Sequence, residues 1–453
     1  MKRFLALMPL FYGWAWGGEI LMLDLASVER DTLAHSPRLA AARETAQGAV
    51  EQAKAQRSHL WPTLGVEGSY RYQTEVPTFK ASPLSPAVEL GDNPNYSVGP
   101  ALTWLAWDSG AARNSAKSLS SQASARIQES QATENQIRLA ARLNLFQVQG
   151  SAERLRLLAD GLRLAQAQRN DVRVRTKAGA ASQQDILQAE TEVLSRRTQF
   201  REAQTAFAVS LRDLLSLMGS REDHDLSRPL PRDLTGHLPA EIPAPSLMIE
   251  LAPPSALRPR FAPAAGLPFD PARPEVLSYR LQSNAARQSA QAARAGHGPT
   301  LQLAAKTSLD YPNGPVHEQI NQNSAGAVAR WPLFEGNRVV HEVQGQESLA
   351  RASDEKRQQV EENLYRDWQR ARDQLAGLTE EEEINKESVD QQRRLAQMVY
   401  DSYTLGRATF LEVQAANLGL LQDQVQSVKT EVDILSQLAI LSSFTNHSVE
   451  GTR

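Results

Sequence analysis

The chain has 453 residues, 6% of them aromatic and 22% charged, and Ala, Gln, Arg, Glu and Ser dominate long stretches of it. Such a composition argues for long helices rather than a compact globule. A formal net charge of −3 without an extended basic run leaves no footprint for nucleic acid, and the absence of cysteine excludes disulfides, thiolate metal sites, a cysteine nucleophile and an N-terminal lipidated cysteine.

Met1 is followed by Lys2 and Arg3, an apolar stretch from Phe4 to Trp16, then Gly17 and Gly18, with Ala15 and Gly17 placed like the small residues before a cleavage site. Residues 1–17 read as a secretory signal. The alternative, an anchor or a buried first helix, meets a run shorter than the roughly 18 apolar residues that span a bilayer. No later segment reads as a transmembrane helix, so any membrane role must come from strands or an amphipathic surface.

A first unit is expected over residues 18–220. Asp24 to Ser58 has helical spacing. Leu64, Val66, Gly68, Tyr70 and Tyr72 then alternate with Thr63, Gly65, Glu67, Ser69 and Arg71, and Tyr96, Val98, Leu102 and Trp104 make a return strand, so a hairpin is predicted over about 62–106. Pro83, Pro86 and Asp92-Asn93-Pro94 mark a wet loop between them. A proline-free stretch, about 108–178, would reach about 105 Å as one helix. Its seam is Leu139, Leu143, Phe146, Gly150, Leu155, Leu158, Leu162, Ala165, Arg169 and Val172. It turns at Gly179, and a return helix, about 182–218, carries Ile186, Ala189, Val193, Phe200, Ala203, Phe207, Leu211, Leu214 and Met218 as its stripe.

Residues 221–272 form a connector; twelve of the chain's 24 prolines fall between 229 and 274, too many for a helix and leaving little pattern for a strand. It is either a disordered linker or an ordered strap on the helices. From 273 to 453 the plan repeats: a helix over Glu275–Ala295, a hairpin over about 299–333, a long helix over about 335–405 turning at Gly406, and a return helix over about 409–444. Pro37 and Pro274, like Pro62 and Pro299, are 237 apart, whereas Trp104 and Trp331, like Gly179 and Gly406, are 227 apart. Two constant offsets bracketing one change indicate duplication with ten extra residues in the first hairpin loop.

Trp61, Trp104, Trp107, Trp331 and Phe334 sit at the helix-proximal ends of the strands, as an interfacial aromatic belt would, although core tryptophans would give the same list. Four strands of this length suit a bilayer, but an open sheet would leave two edges of unpaired amides in hydrocarbon. Several copies must therefore pool strands; two, three or four would satisfy the physics. No phosphate loop, dinucleotide turn, zinc-binding His pair or nucleophile elbow is present, the eight histidines are scattered, and Glu380 to Glu383 reads as a solvated helix face. No enzyme, cofactor or metal site is expected.

Leu23-Asp24-Leu25-Ala26 through Ser36-Pro37-Arg38-Leu39, Trp61-Pro62-Thr63-Leu64, Trp331-Pro332-Leu333-Phe334-Glu335-Gly336 and Tyr403-Thr404-Leu405-Gly406-Arg407-Ala408-Thr409 together resemble the TolC-like outer membrane efflux family. The resemblance implies a mixed α/β membrane protein, with four strands per protomer and a twelve-stranded outer-membrane barrel per trimer. A long α-helical coiled-coil tunnel continues the barrel into the periplasm. It implies a homotrimer that meets a periplasmic adaptor (membrane fusion) protein and an inner-membrane pump, as the exit duct of tripartite efflux or type I secretion.

By the same resemblance, Gly179, Ala181, Ser182, Gly406, Ala408 and Thr409 form the adaptor-contacting tip. Glu412 supplies a carboxylate ring at the constriction, and Asp185, Tyr403 and Arg407 link neighbouring coils. Two departures stand out at the family's usual basic and second acidic positions, which are Ala408 and Ala415 here. A third is the first strand-to-helix junction, Trp107-Asp108-Ser109-Gly110, whose glycine is displaced by one from Gly336. The rival reading is a soluble periplasmic coiled-coil scaffold or adaptor, against which the alternating strands speak.

Overall fold

A computed structural model describes residues 19–80, 82, 85–220, 224–234 and 242–445; the signal-like segment 1–17 lies outside them. Strand β1 (Glu19–Leu23) leads into α1 (Leu25–His35), whose N-cap Asp24 accepts the Ser27 amide at 2.9 Å. The single helix expected from Asp24 to Ser58 is broken, because α2 (Pro37–Ser58) opens on a proline and the preceding Ser36 is held extended. Strand β2 (Thr63–Tyr72), a short ladder of β3 (Thr78–Phe79) with β4 (Val88–Glu89), and β5 (Pro94–Trp107) follow. Helices α3 (Ala111–Lys177) and α4 (Gln183–Leu217) complete the first copy. The connector holds β6 (Pro229–Pro231), β7 (Leu247–Leu251) and α5 (Pro254–Phe261). The second copy is α6 (Pro274–Arg294), β8 (Thr300–Tyr311), β9 (Ile320–Arg330), α7 (Arg338–Thr404) and α8 (Phe410–Phe444).

The repeat is kept to the residue. α3 and α7 both have 67 residues and α4 and α8 both have 35, each pair displaced by 227; α2 and α6, like β2 and β8, start 237 apart. The displaced junction glycine also resolves. Each junction needs two successive residues at positive φ, Ser109 (57°) with Gly110 (95°) and Gly336 (58°) with Asn337 (61°). The same backbone is built twice, with glycine at the second position in one copy and the first in the other.

The chain divides into two compact units, of which one is Arg38–Thr133 with Pro271–Asn363. It carries an antiparallel sheet in the order β2-β5-β8-β9. Register pairs share a face, so Leu64 with Leu102, Val66 with Pro100, Val98 with Leu309, Trp104 with Leu303, and Ala305 with Ala325 make one apolar face. Glu67, Ser97, Lys306 and Asp310 lie on the other, where Lys306 donates to Ser97 at 3.2 Å. Every residue of β2 is exposed, as is nearly every residue of β9. The indole nitrogens of Trp104 and Trp331 donate to the Leu60 and His297 carbonyls at 3.2 and 3.0 Å, while Trp61, Trp107 and Phe334 stand exposed. Trp331 itself falls one residue beyond β9.

Pro100 sits in a central strand, where a missing amide is normally excluded. The β5–β8 pairing is interrupted there, between Val98↔Leu309 and Ala101↔Lys306. Beside it, a Cβ on Gly99 would overlap the Thr307 carbonyl oxygen and sit 2.6 Å from the Ser308 Cα. Only glycine lets the two backbones approach this closely.

The other unit, Met1–Pro37 with Glu134–Asp270 and Leu364–Arg453, contains the main core. The expected α4 stripe is buried from Ile186 to Leu214, and Phe146, Leu155, Leu158, Leu162, Ala165 and Val172 of the α3 seam are buried with it. A Cβ at Gly150 would lie 2.8 Å from Val432, so that glycine lets α8 pack closely on α3 there.

The described part of the connector is the ordered strap of the two alternatives, and it holds two short strands where the sequence left little pattern for one. β7 pairs in parallel with both β1 and β6, and Leu230, Leu247, Ile249, Leu257 and Phe261 enter the core. Pro229 and Pro231 lie in the edge strand β6 and Pro254 opens α5, positions that need no amide donor, whereas Pro259 falls inside α5 and keeps that helix short. Phe269 meets Tyr365 and Trp368, and Arg372 lies 4.9 Å over the Trp368 ring. Arg258 of α5 grips the buried Glu382 bidentately at 2.7 and 3.0 Å, and Glu381 accepts from Gln426 and Thr430, both at 2.9 Å. The middle of the Glu380–Glu383 run is therefore a packing device and not a solvated face. Burial, with Glu153 and Glu382 nearby, pushes the Glu431 carboxyl above its ordinary range.

Two outcomes follow from these contacts. Gly99→Val should lose about 1–3 kcal/mol or fail to assemble, while Gly68→Val, whose Cβ has ordinary contacts, should melt near wild type; strand circular dichroism during thermal unfolding in detergent reads both. Because the Glu431 carboxyl is raised in the fold, its stabilising share is complete below the unfolded-state pKa and is lost as pH rises through the folded value. Glu431→Gln should therefore match wild type in melting temperature in acid and exceed it at neutral pH, and equal melting temperatures at both would refute the assignment.

Candidate functional site: the two helix turns

The long helices end in two turns with one hydrogen-bond pattern. In the first, the amides of Ala178, Gly179 and Ala180 return to the carbonyls of Val174, Thr176 and Arg175; in the second, those of Leu405, Gly406 and Arg407 return to Asp401, Tyr403 and Ser402. Gly179 and Gly406 adopt φ of 73° and 71°, the left-handed C′ position of a Schellman turn. A Cβ would meet nothing within 4 Å at either, so the glycines are there for backbone conformation alone.

Each returning helix opens with a capping box. Ser182 accepts the Asp185 amide at 3.1 Å while the Asp185 carboxylate accepts the Ser182 amide at 3.0 Å. Thr409 and Glu412 do the same at 3.3 and 2.8 Å. Both sequence-predicted acids thus bind their own helix starts. Tyr403 is buried with Val172, Ile186, Ala189, Phe410 and Val413, against which Ala181 and Ala408 pack. Its hydroxyl has no hydrogen-bond partner, and burial raises its pKa. Arg407 is exposed and makes no side-chain hydrogen bond or ion pair among the described residues. The structure therefore does not join Asp185, Tyr403 and Arg407 to one another by hydrogen bonds.

The residues that do connect the turns were not singled out in the sequence. Arg175, in the last turn of α3, receives support from Asp171 at 2.9 Å and donates to the Thr404 carbonyl at 3.1 Å, with its guanidinium 5.7 Å from the centre of the Tyr403 ring. The Tyr400 hydroxyl donates to the same Asp171 carboxylate at 3.3 Å, and burial followed by that carboxylate raises the Tyr400 pKa. Lower-lying links are Gln414 to the Gln188 carbonyl at 3.1 Å and Asn417 to Gln168 at 3.3 Å. Helical spacing signals Asp171 with Arg175 as an i,i+4 pair, but nothing in one sequence places their partners 229 residues on. Among the described residues no group of His, Asp and Glu is placed to hold a metal ion, and no helix is long and apolar enough to cross a membrane.

The outer membrane efflux protein profile matches residues 29–220 and 272–447, the two copies without the connector. No curated protein matches the sequence. Among solved structures, the fold is similar to the VceC outer membrane protein of Vibrio cholerae (17% identity, TM-score 0.70, 93% of this chain and 95% of that one). It is also similar to the CmeC channel of Campylobacter jejuni (13%, TM-score 0.70, 99% and 96%) and to the open MtrE channel of Neisseria gonorrhoeae (15%, TM-score 0.69, 92% and 88%). Two profile matches spanning both copies, over a hairpin sheet and paired long helices, place this chain in the outer membrane efflux protein family.

Proposed function

We propose that the chain is the outer-membrane channel subunit of a tripartite efflux or type I secretion system, and that three copies form the duct. The carrying observation is the sheet whose edge strands β2 and β9 are exposed and, among the described residues, have no strand on their outer sides. In hydrocarbon such edges must be closed, and three four-stranded sheets give twelve strands, within the range of bacterial barrels. The apolar face meets outer-membrane lipid, and the exposed Trp61, Trp107, Trp331 and Phe334 sit at its boundary. The turns around Gly179, Ala181 and Ser182 and around Gly406, Ala408 and Thr409 are the surface offered to the periplasmic adaptor, behind which stands the inner-membrane pump. Glu412 and Asp185 can contribute charge at the constriction only beyond their capping duties. Cargo is chosen upstream, since a duct needs no specific pocket.

The absence of native cysteine makes the seam directly testable. Val66→Cys on β2, combined in one chain with Ala325→Cys, Ala327→Cys or Ala329→Cys on β9, should give covalent dimers and trimers on oxidation at one register. Monomers at all three pairings, in folded assemblies, would overturn the closed-barrel reading. Ser82→Cys, in the longer loop, should react with an impermeant thiol reagent on intact cells; protection there would invert the topology.

A further inference from the structure

In the helical unit, α3, α4 and α8 leave a cavity of about 320 Å³ between them, at the lower end of the range for small-molecule sites. Its walls are small and aliphatic, with Gly150 on α3, Ala203 and Ala206 on α4, and Val425, Val428 and Val432 on α8. Arg154 and Lys429 also line it; both are exposed, and among the described residues neither makes a hydrogen bond or a close ion pair. Asp433 is the carboxylate of the lining, and burial raises its pKa although Lys429 draws it down. We propose that this cavity is a site for a small organic anion with an aliphatic body. The walls take the body, and the two cations, which no carboxylate of the protein pairs at close range, take the charge.

The charge is particular to this place. Displacement by 227 takes Arg154 to Glu381 and Lys429 back to Glu202, while Gly150 goes to Gly377. The glycine belongs to the common plan of the two copies, and the cations do not. The cavity also lies on the face turned away from the strap. On α3, Gln149 and Arg156 reach the strap at the Ala252 carbonyl (2.8 Å) and at Asp233 (2.7 and 3.0 Å). On α4, Gln204 reaches the Pro229 carbonyl at 3.4 Å, and on α8 Leu441 packs with Ala264. At about 3.6 residues per turn, Arg154, Ala206 and Val432 fall on the opposite sides of those helices. Three straps facing the passage of a duct would obstruct it, so the strap lies outside and the cavity opens inward. This placement rests on the channel reading. The anion is held on the wall in transit and is not selected there.

The site is tested in the full-length assembly in lipid nanodiscs, titrated with octanesulfonate and separately with octyltrimethylammonium, against empty nanodiscs. Octanesulfonate should bind and the cation should not. Arg154→Gln combined with Lys429→Gln should weaken octanesulfonate about tenfold. Ala206→Leu, at an exposed position where the larger side chain fills the cavity and leaves its charges in place, should abolish binding. Equal binding of both probes, or wild-type affinity in either variant, would overturn the site. In planar bilayers octanesulfonate should interrupt the wild-type current and leave that of both variants unbroken; binding without block would overturn the inward placement. If the double variant does not assemble, Ala206→Leu decides on the same two readouts. A wild-type assembly that passes no current would sink the channel reading, and the titration would still decide the site.

Discussion

A β-strand at the edge of a sheet carries a row of amides and carbonyls that water can satisfy and hydrocarbon cannot. Here that constraint falls on β2 and β9, and the rest of the hairpin unit is arranged around it. One face is apolar over most of β2, β5 and β8 and on β9 from Ala325 to Ala329, with Asn321 and Asn323 at its far end, and the wide aromatic residues are held where the strands give way to helices. Gly99 and Pro100 interrupt the β5–β8 ladder in the middle of the sheet, where Gly99 lets the two backbones come close.

The helical unit solves a different problem. Long helices rich in Ala, Gln and Arg bury little surface each, so most of their stability comes from packing partners and not from propensity. The connector supplies such partners. It adds Leu230, Leu247, Ile249, Leu257 and Phe261 to the core, and ties itself down through Arg258 on Glu382. Removing Arg258 would leave the buried Glu382 carboxylate with only the exposed Lys386 as its cation, so breaking the pair costs more than its net contribution to stability.

Much of this was legible in the sequence because it is periodic or local. The offsets of 237 and 227, the two hairpins, the α4 stripe and the two glycine turns are all set by residues close in the chain. Ser182 with Asp185 and Thr409 with Glu412 were visible as acids near helix starts, yet their partners are the caps three residues before them and not one another. What escaped is what pairs across distance. β1 joins β7 across more than two hundred residues, in a strand too short to show alternation. Arg175 reaches Thr404 from a helix whose own pattern says only that the arginine forms an i,i+4 pair. Ser36 shows the opposite failure: the break it makes was signalled by Pro37 and overridden by helical spacing on either side.

The turns at Gly179 and Gly406 are built from backbone hydrogen bonds and a neighbouring cap, so the side chains of Ala180 and Arg407 at their crests carry none of the fold's bonding. Substitution there is nearly free of structural consequence. The chemistry of both crests can therefore be altered by point mutation without rebuilding the coils that carry them.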